Sequence, residues 1–181
     1  MIPEFAENQQ LTPHFSLYEL TITNNAALQK ENRILDSQQI LKIKSLAQFG
    51  EGIRHLCGDL PMRVHSGYRC AAVNGATIGS SNTSQHPLCE AIDFDIYRQS
   101  TDQTFGLLLK AAKNGKFCFG QLIIEAAKRD YGVTQWVHCS MIGTLDKSKV
   151  GQAMRAFACI DGKFAYSLVD KIDFVSTQPP S

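Results

Sequence analysis

Three side chains in this chain have the types and spacing to do chemistry together: His86, Asp93 and His138. Asp93 lies between Ile92 and Phe94 in the run Ala91–Ile96, which is rich in β-branched and aromatic residues. An unpaired carboxylate is costly to bury in such a strand, and a bound cation offsets that cost. His86 precedes Asp93 by seven residues, close enough to fold over the same ion. A third ligand has to come from elsewhere. His138, in Trp136-Val137-His138-Cys139-Ser140, supplies it if its strand lies beside that of Asp93. Two imidazoles and one carboxylate suit zinc with a fourth position open, as in catalytic rather than structural sites. Taken singly, either histidine also reads as a surface or core-edge residue, and Asp93 as a strand-end carboxylate held by backbone donors.

The elements that must position these groups can be read from pattern. Asp36 caps a helix with Gln39 three residues on, and apolar Ile40, Ile43, Ala47, Ile53 and Leu56 follow at helical spacing up to Gly58. Met62–Ser66 and Ala91–Ile96 read as strands, the latter with Asp93 and Asp95 at alternate positions. A helix is expected over Thr101–Asn114, closed by Gly115. Gln121–Glu125 and Trp136–Met141 read as a hairpin across a charged, glycine-containing connection. Arg155–Ile160 and Lys163–Val169 flank Asp161-Gly162, a two-residue hairpin signal. Helices first and hairpins later predict an α+β fold with a mainly antiparallel sheet packed against helices. One domain is expected over residues 13–175, between a loose segment 1–12 and a tail 176–181, with a C-terminal hairpin at 155–169.

Composition narrows the function classes. Lys+Arg 18 against Asp+Glu 17 leaves a net charge of +1, which argues against bulk electrostatic binding of nucleic acid. No apolar run approaches the roughly 18 residues of a membrane span. Met1–Glu7 has no basic and then apolar leader, so the chain is expected to stay in its compartment of synthesis, the cytoplasm. The six cysteines (Cys57, Cys70, Cys89, Cys118, Cys139 and Cys159) are then expected to be reduced, and no two show C-x-x-C spacing.

The pattern Ser84-x-His86-x-x-x-x-Ala91-x-Asp93 resembles the S-x-H-x-x-G-x-A-x-D signature of the D-Ala-D-Ala carboxypeptidase family of zinc peptidases, whose fold the hedgehog signalling domain shares. His14-Phe15-Ser16-Leu17-Tyr18-Glu19-Leu20 resembles the opening of that family's small single-domain branch. Ser66-Gly67-Tyr68-Arg69 with Asn74, and Gln121-Leu122-Ile123-x-Glu125 with Trp136-Val137-His138-x-Ser140, extend the likeness over about residues 14–142. The resemblance implies zinc held by His86, Asp93 and His138, and Arg69 facing the substrate, where a fixed guanidinium suits a developing oxyanion or a terminal carboxylate. Ser84 reads either as orienting the loop or the substrate carbonyl, or as a turn residue. Tyr68 and Asn74 fit a substrate cleft, and equally core packing and a turn.

Two departures bear on activity. Several relatives place a carboxylate three residues before the last histidine ligand, where this chain has Gln135. Glu125 is then the candidate general base, with Asp130 a distant second, and Gln135→Glu would restore the commoner arrangement. The family glycine between His86 and Asp93 is Cys89, next to the stiffening Pro87. The implied function is a zinc-dependent peptidase hydrolysing bonds to D-amino acids in peptidoglycan stem peptides, acting as a monomer without nucleic acid or membrane insertion. Release to the periplasm or cell wall as a phage endolysin, or incorporation in a virion, suits the missing leader. The alternative is a zinc-stabilised binding or virion-structural domain with little or no activity.

Overall fold

The computed structural model describes residues 9–34, 36–77, 79–81, 83–129, 132–144, 147–158 and 163–174. Among these residues six strands form one sheet: β3 (Met62–Ser66), β4 (Ala91–Ile96), β5 (Gln121–Arg129), β6 (Gly132–Ser140), β7 (Gln152–Ala158) and β8 (Phe164–Lys171). Their spatial order is β3-β4-β6-β5-β7-β8. Every neighbouring pair is antiparallel except β5–β7, which is parallel, so this α+β sheet is mixed. A separate two-stranded sheet joins β1 (Gln10–Thr12) to β2 (Phe15–Ser16). Residues 10–12, assigned from sequence to the loose N-terminal segment, are therefore paired. The tail 176–181 and the Asp161-Gly162 turn lie outside the described residues.

Local chemistry accounts for the helices. Ser16 and Glu19 form a reciprocal capping box that starts α1 (Leu17–Leu20). The Asp36 carboxylate accepts from the Gln39 N–H at 2.8 Å and starts α2 (Ser37–Leu56), which runs almost as its apolar spacing predicts. Ser100 and Gln103 cap α4 (Thr101–Lys113), and Gly115 follows it with a φ of +69°. The short α3 (Ala71–Ala76) follows the Arg69 loop.

Side chains alternate across each strand. Ile92, Phe94 and Ile96 of β4, Leu122 and Ile124 of β5, and Val137 and Cys139 of β6 belong to the main core with Ile43, Leu46 and Ile53 of α2 and Phe105 and Leu108 of α4. Burying each large apolar side chain there contributes about 1.5–3 kcal/mol. The opposite face of the sheet carries Asp93, His138 and Glu125. Strands β5 and β6 are longer than their sequence pattern suggests. Ala126 pairs with Gln135, and the ladder continues to Arg129 and Gly132. The stretch taken for a connection is paired strand, because Ala, Lys and Gly carry no alternating signature for a ladder formed by backbone. Among the described residues no helix is long and apolar enough to cross a membrane.

Candidate metal centre

Register builds the site. Asp93 of β4 lies directly opposite His138 of β6, and His138 directly opposite Ile123 of β5. Opposed residues share a face and stand about 5 Å apart, so the imidazole and carboxylate meet, with His138 Nδ1 2.8 Å from Asp93 Oδ1. His86 arrives from the 3₁₀ turn His86–Leu88, with Nε2 3.3 Å from Asp93 Oδ2. The candidate ligand atoms of His86, Asp93 and His138 all lie within 4.8 Å of one another, and all three residues are buried. The structure thus brings together the three residues that sequence spacing singled out.

The surroundings set their protonation. His86 Nδ1 lies 2.6 Å from the Gly67 carbonyl, so that nitrogen carries the proton and Nε2 keeps its lone pair toward Asp93. Burial, with Arg69 and His138 adding to it against Asp93, holds His86 below its ordinary pKa and hence neutral. Burial would raise Asp93, yet His86, the His138 hydrogen bond and Arg69 outweigh it and hold the carboxyl well below the usual range. Burial would likewise lower His138, but the hydrogen bond to Asp93 and the charges of Asp93 and Glu125 raise it. Two imidazoles and an ionised carboxylate converging on one point form a donor set that fits zinc.

Arg69 belongs to the same cluster. One terminal nitrogen lies 2.6 Å from Asp93 Oδ2 and 3.1 Å from His86 Nε2, and Nε donates to Ser66 Oγ at 2.8 Å. The guanidinium is therefore tied first to a ligand carboxylate, with its charge beside the ligand atoms.

Glu125 stands two residues along β5 from Ile123, on the His138 face and directly opposite Trp136. It is partly exposed. Burial first, then the charge of Asp93, push its carboxyl up to about 7, against the pull of His138 and a hydrogen bond from the Trp136 side chain. Asp93 and Glu125 are thus pushed in opposite directions. Gln135 is elsewhere: one residue from Trp136 and so on the opposite face, its Oε1 accepts from Thr101 of α4 at 3.1 Å. A carboxylate at 135 would meet the helix, so Gln135→Glu does not rebuild the commoner arrangement. Asp130 lies outside the described residues.

The three residues assigned to substrate binding fare differently. Ser84 Oγ accepts from the His86 N–H at 3.4 Å and shapes the loop that carries this histidine. Asn74 sits one layer out, accepting from Ser80 through its carbonyl at 2.5 Å and donating to the Ser81 carbonyl at 3.4 Å. It braces that loop. Tyr68 is buried in the main core, and its hydroxyl bonds Gln39 of α2. Of the two readings open for Tyr68, this burial and the backbone N–H bond to the Leu20 carbonyl support core packing.

Sequence reasoning missed Gly67, although it lies inside the Ser66-Gly67-Tyr68-Arg69 motif. A Cβ there would come within 2.5 Å of the Leu20 carbonyl oxygen, so only glycine lets the strand end approach α1 and aim its own carbonyl at His86. The pairing of His65 with Asp95 was also missed, although Asp95 stood out at the position alternate to Asp93. They form a pair at 2.6 Å on the same side of β4 as Asp93, which alternation along the strand could have indicated.

Cys89 adopts φ +57° and ψ 35°, the left-handed region that the family glycine would occupy without strain. It is fully buried, and burial pushes its thiol up to about 12, so it stays neutral. Cys57, Cys70, Cys89, Cys118 and Cys139 are free thiols, and Cys159 lies outside the described residues. Cys89→Ala keeps the strain and loses the packed sulfur, and is expected to cost about 1–2 kcal/mol. Cys89→Gly relieves the strain while losing the same packing, and is expected to cost less than the alanine variant. Urea denaturation of both variants checks the order; a glycine variant clearly less stable than the alanine one contradicts the strain argument.

No curated protein matches the chain. A family model described as Peptidase M15 matches residues 13–140, a span that holds Arg69, His86, Asp93, Glu125 and His138 and stops before β7. With that match over most of its length and the metal-capable group it encloses, the chain belongs to the M15 family of zinc D-Ala-D-Ala carboxypeptidases.

Proposed function

We propose that the protein is a zinc peptidase that hydrolyses bonds to D-amino acids in peptidoglycan stem peptides, with His86, Asp93 and His138 as metal ligands. The observation that carries this reading is the convergence of His86, Asp93 and His138 within 4.8 Å on the sheet face where Glu125 also stands, inside the span matched by the Peptidase M15 model. Zinc in that group supplies Lewis acidity and lowers the pKa of water toward neutrality. Glu125 accepts the proton of the attacking water at its carboxylate and returns it to the leaving amine. Arg69, fixed by Ser66 and Asp93, orients the ligand carboxylate and adds positive charge where the substrate carbonyl oxygen becomes negative. A role in phage lysis, with release to the cell wall, belongs to the same reading.

Digestion of purified peptidoglycan by the zinc-loaded protein, with mass analysis of the products, tests it. Soluble peptides ending or beginning at a D-amino acid are expected, and a chelator is expected to abolish them. Tight zinc without any cleavage would favour the binding-domain reading instead.

A further inference from the structure

The strands beyond residue 140 extend the face that carries the ligands. Across β5, β7 and β8 the register aligns Glu125 with Ala156 and Ala156 with Tyr166. One row over, it aligns Ile123 with Met154 and Met154 with Leu168. Ile123 is itself opposite His138, so both rows continue the ligand face outward.

This extension has a floor and a wall. Ile123, Met154 and Ala156 are buried and, with Phe164 packed against them, form an apolar cluster separate from the main core. Tyr166 and Leu168 stand over the outer strand with 54% and 59% of their surface exposed. Trp136 meets Phe164 edge-on at 6.2 Å, and Phe164 lies 6.2 Å from Tyr166, so aromatic rings run from the Glu125 partner to the sheet edge. Only the methyl of Ala156 separates Glu125 from Tyr166 along their row. With strands about 4.8 Å apart, their α-carbons are about 10 Å apart, a span that two side chains and one small group fill.

We propose that the β7–β8 hairpin is the substrate-recognition element of this site, with Tyr166 and Leu168 over the Ile123–Met154–Ala156 floor taking a small uncharged side chain beside the scissile bond. The Tyr166 hydroxyl hydrogen-bonds the backbone of that peptide. An ammonium or carboxylate group entering the same place would lose water over the Ile123–Met154–Ala156 floor, whose side chains offer it no hydrogen bond. An exposed wall next to a buried floor gains burial when an apolar group fills the gap. This inference rests on the peptidase reading above, and all of its residues except Ile123 lie outside the matched span 13–140.

The test uses the zinc-loaded full chain and synthetic peptides with one D-alanyl bond that differ only in the flanking side chain, Ala against Lys. The parent is expected to prefer Ala by roughly tenfold or more in kcat/KM. Tyr166→Ala should raise KM roughly tenfold and flatten that preference, with zinc content unchanged. Tyr166→Phe should keep the preference and lose a smaller factor through the missing hydroxyl. Leu168→Lys should turn the preference away from the Lys peptide more strongly. Cleavage by Tyr166→Ala with the parent's KM and the parent's Ala-to-Lys ratio would overturn the recognition role while leaving the peptidase reading intact. A zinc-loaded parent that cleaves neither peptide nor peptidoglycan would overturn both.

Discussion

His86→Ala and His138→Ala are each expected to bring the zinc-to-protein ratio close to zero and to abolish hydrolysis. The site has three protein donors within 4.8 Å, and two cannot hold the ion against water as three can. The two variants should also differ. Without His138, Asp93 Oδ1 loses its 2.8 Å partner but Oδ2 keeps Arg69. Without His86, the Gly67 carbonyl and one Arg69 nitrogen both lose a partner in a buried place. His86→Ala should therefore be the less stable protein as well as metal-free. Elemental analysis of the purified variants, alongside their denaturation curves, checks both points; full zinc in either variant would overturn the ligand assignment.

Glu125→Gln is expected to keep zinc and fold yet lose roughly 10²–10⁴ in rate, the usual worth of a positioned acid and base. The amide is nearly isosteric and can still meet the Trp136 side chain, but it cannot take a proton from water. The pH profile adds a second signature. Glu125 works as a base only when ionised, so activity rises with pH through its pKa. That pKa is about 7 with Asp93 uncompensated beside it. A bound cation offsets the Asp93 charge, so the rising limb should lie between about 4.3, the ordinary value for Glu, and about 7. In Glu125→Gln the limb should vanish. A variant that cleaves as fast as the parent, or keeps the limb, would remove Glu125 from the mechanism.

Much of this site was legible because its signals are local or strictly alternating. Asp93 announced itself as a carboxylate in an apolar strand, and His86 sits in the turn just before it. Pairing with His138 followed from two strands whose facing residues had to be neighbours. The capped helices α2 and α4 were equally legible, since Asp36, Ser100 and Gly115 mark their ends with specific backbone chemistry. Tyr68 stayed open between cleft and core, because an aromatic residue in such a motif reads alike as either until its packing is seen. Gln135 was not placed because the sequence reading began its strand at Trp136, and alternation could be applied to residue 135 only once β6 was seen to start at Gly132. The role of Tyr166 could not be seen at all. It depends on a parallel pairing between β5 and β7, and parallel registers leave no turn residue or hairpin spacing in the sequence.

That same parallel pairing has a consequence for the order in which the protein is made. All three ligands, Arg69 and Glu125 precede residue 140, and β3, β4, β6 and β5 pair with one another without help from β7. During synthesis from the N-terminus, the catalytic half of the sheet therefore emerges complete while the outer side of β5 still waits for residues 152–158. Over that interval the backbone groups of Gln121–Ala126 form an open edge, the kind of template on which strands from other chains add. The β7–β8 hairpin thus covers an edge that the preceding strands leave open, and a released chain cut short between residues 140 and 152 would hold every metal ligand and an unguarded strand.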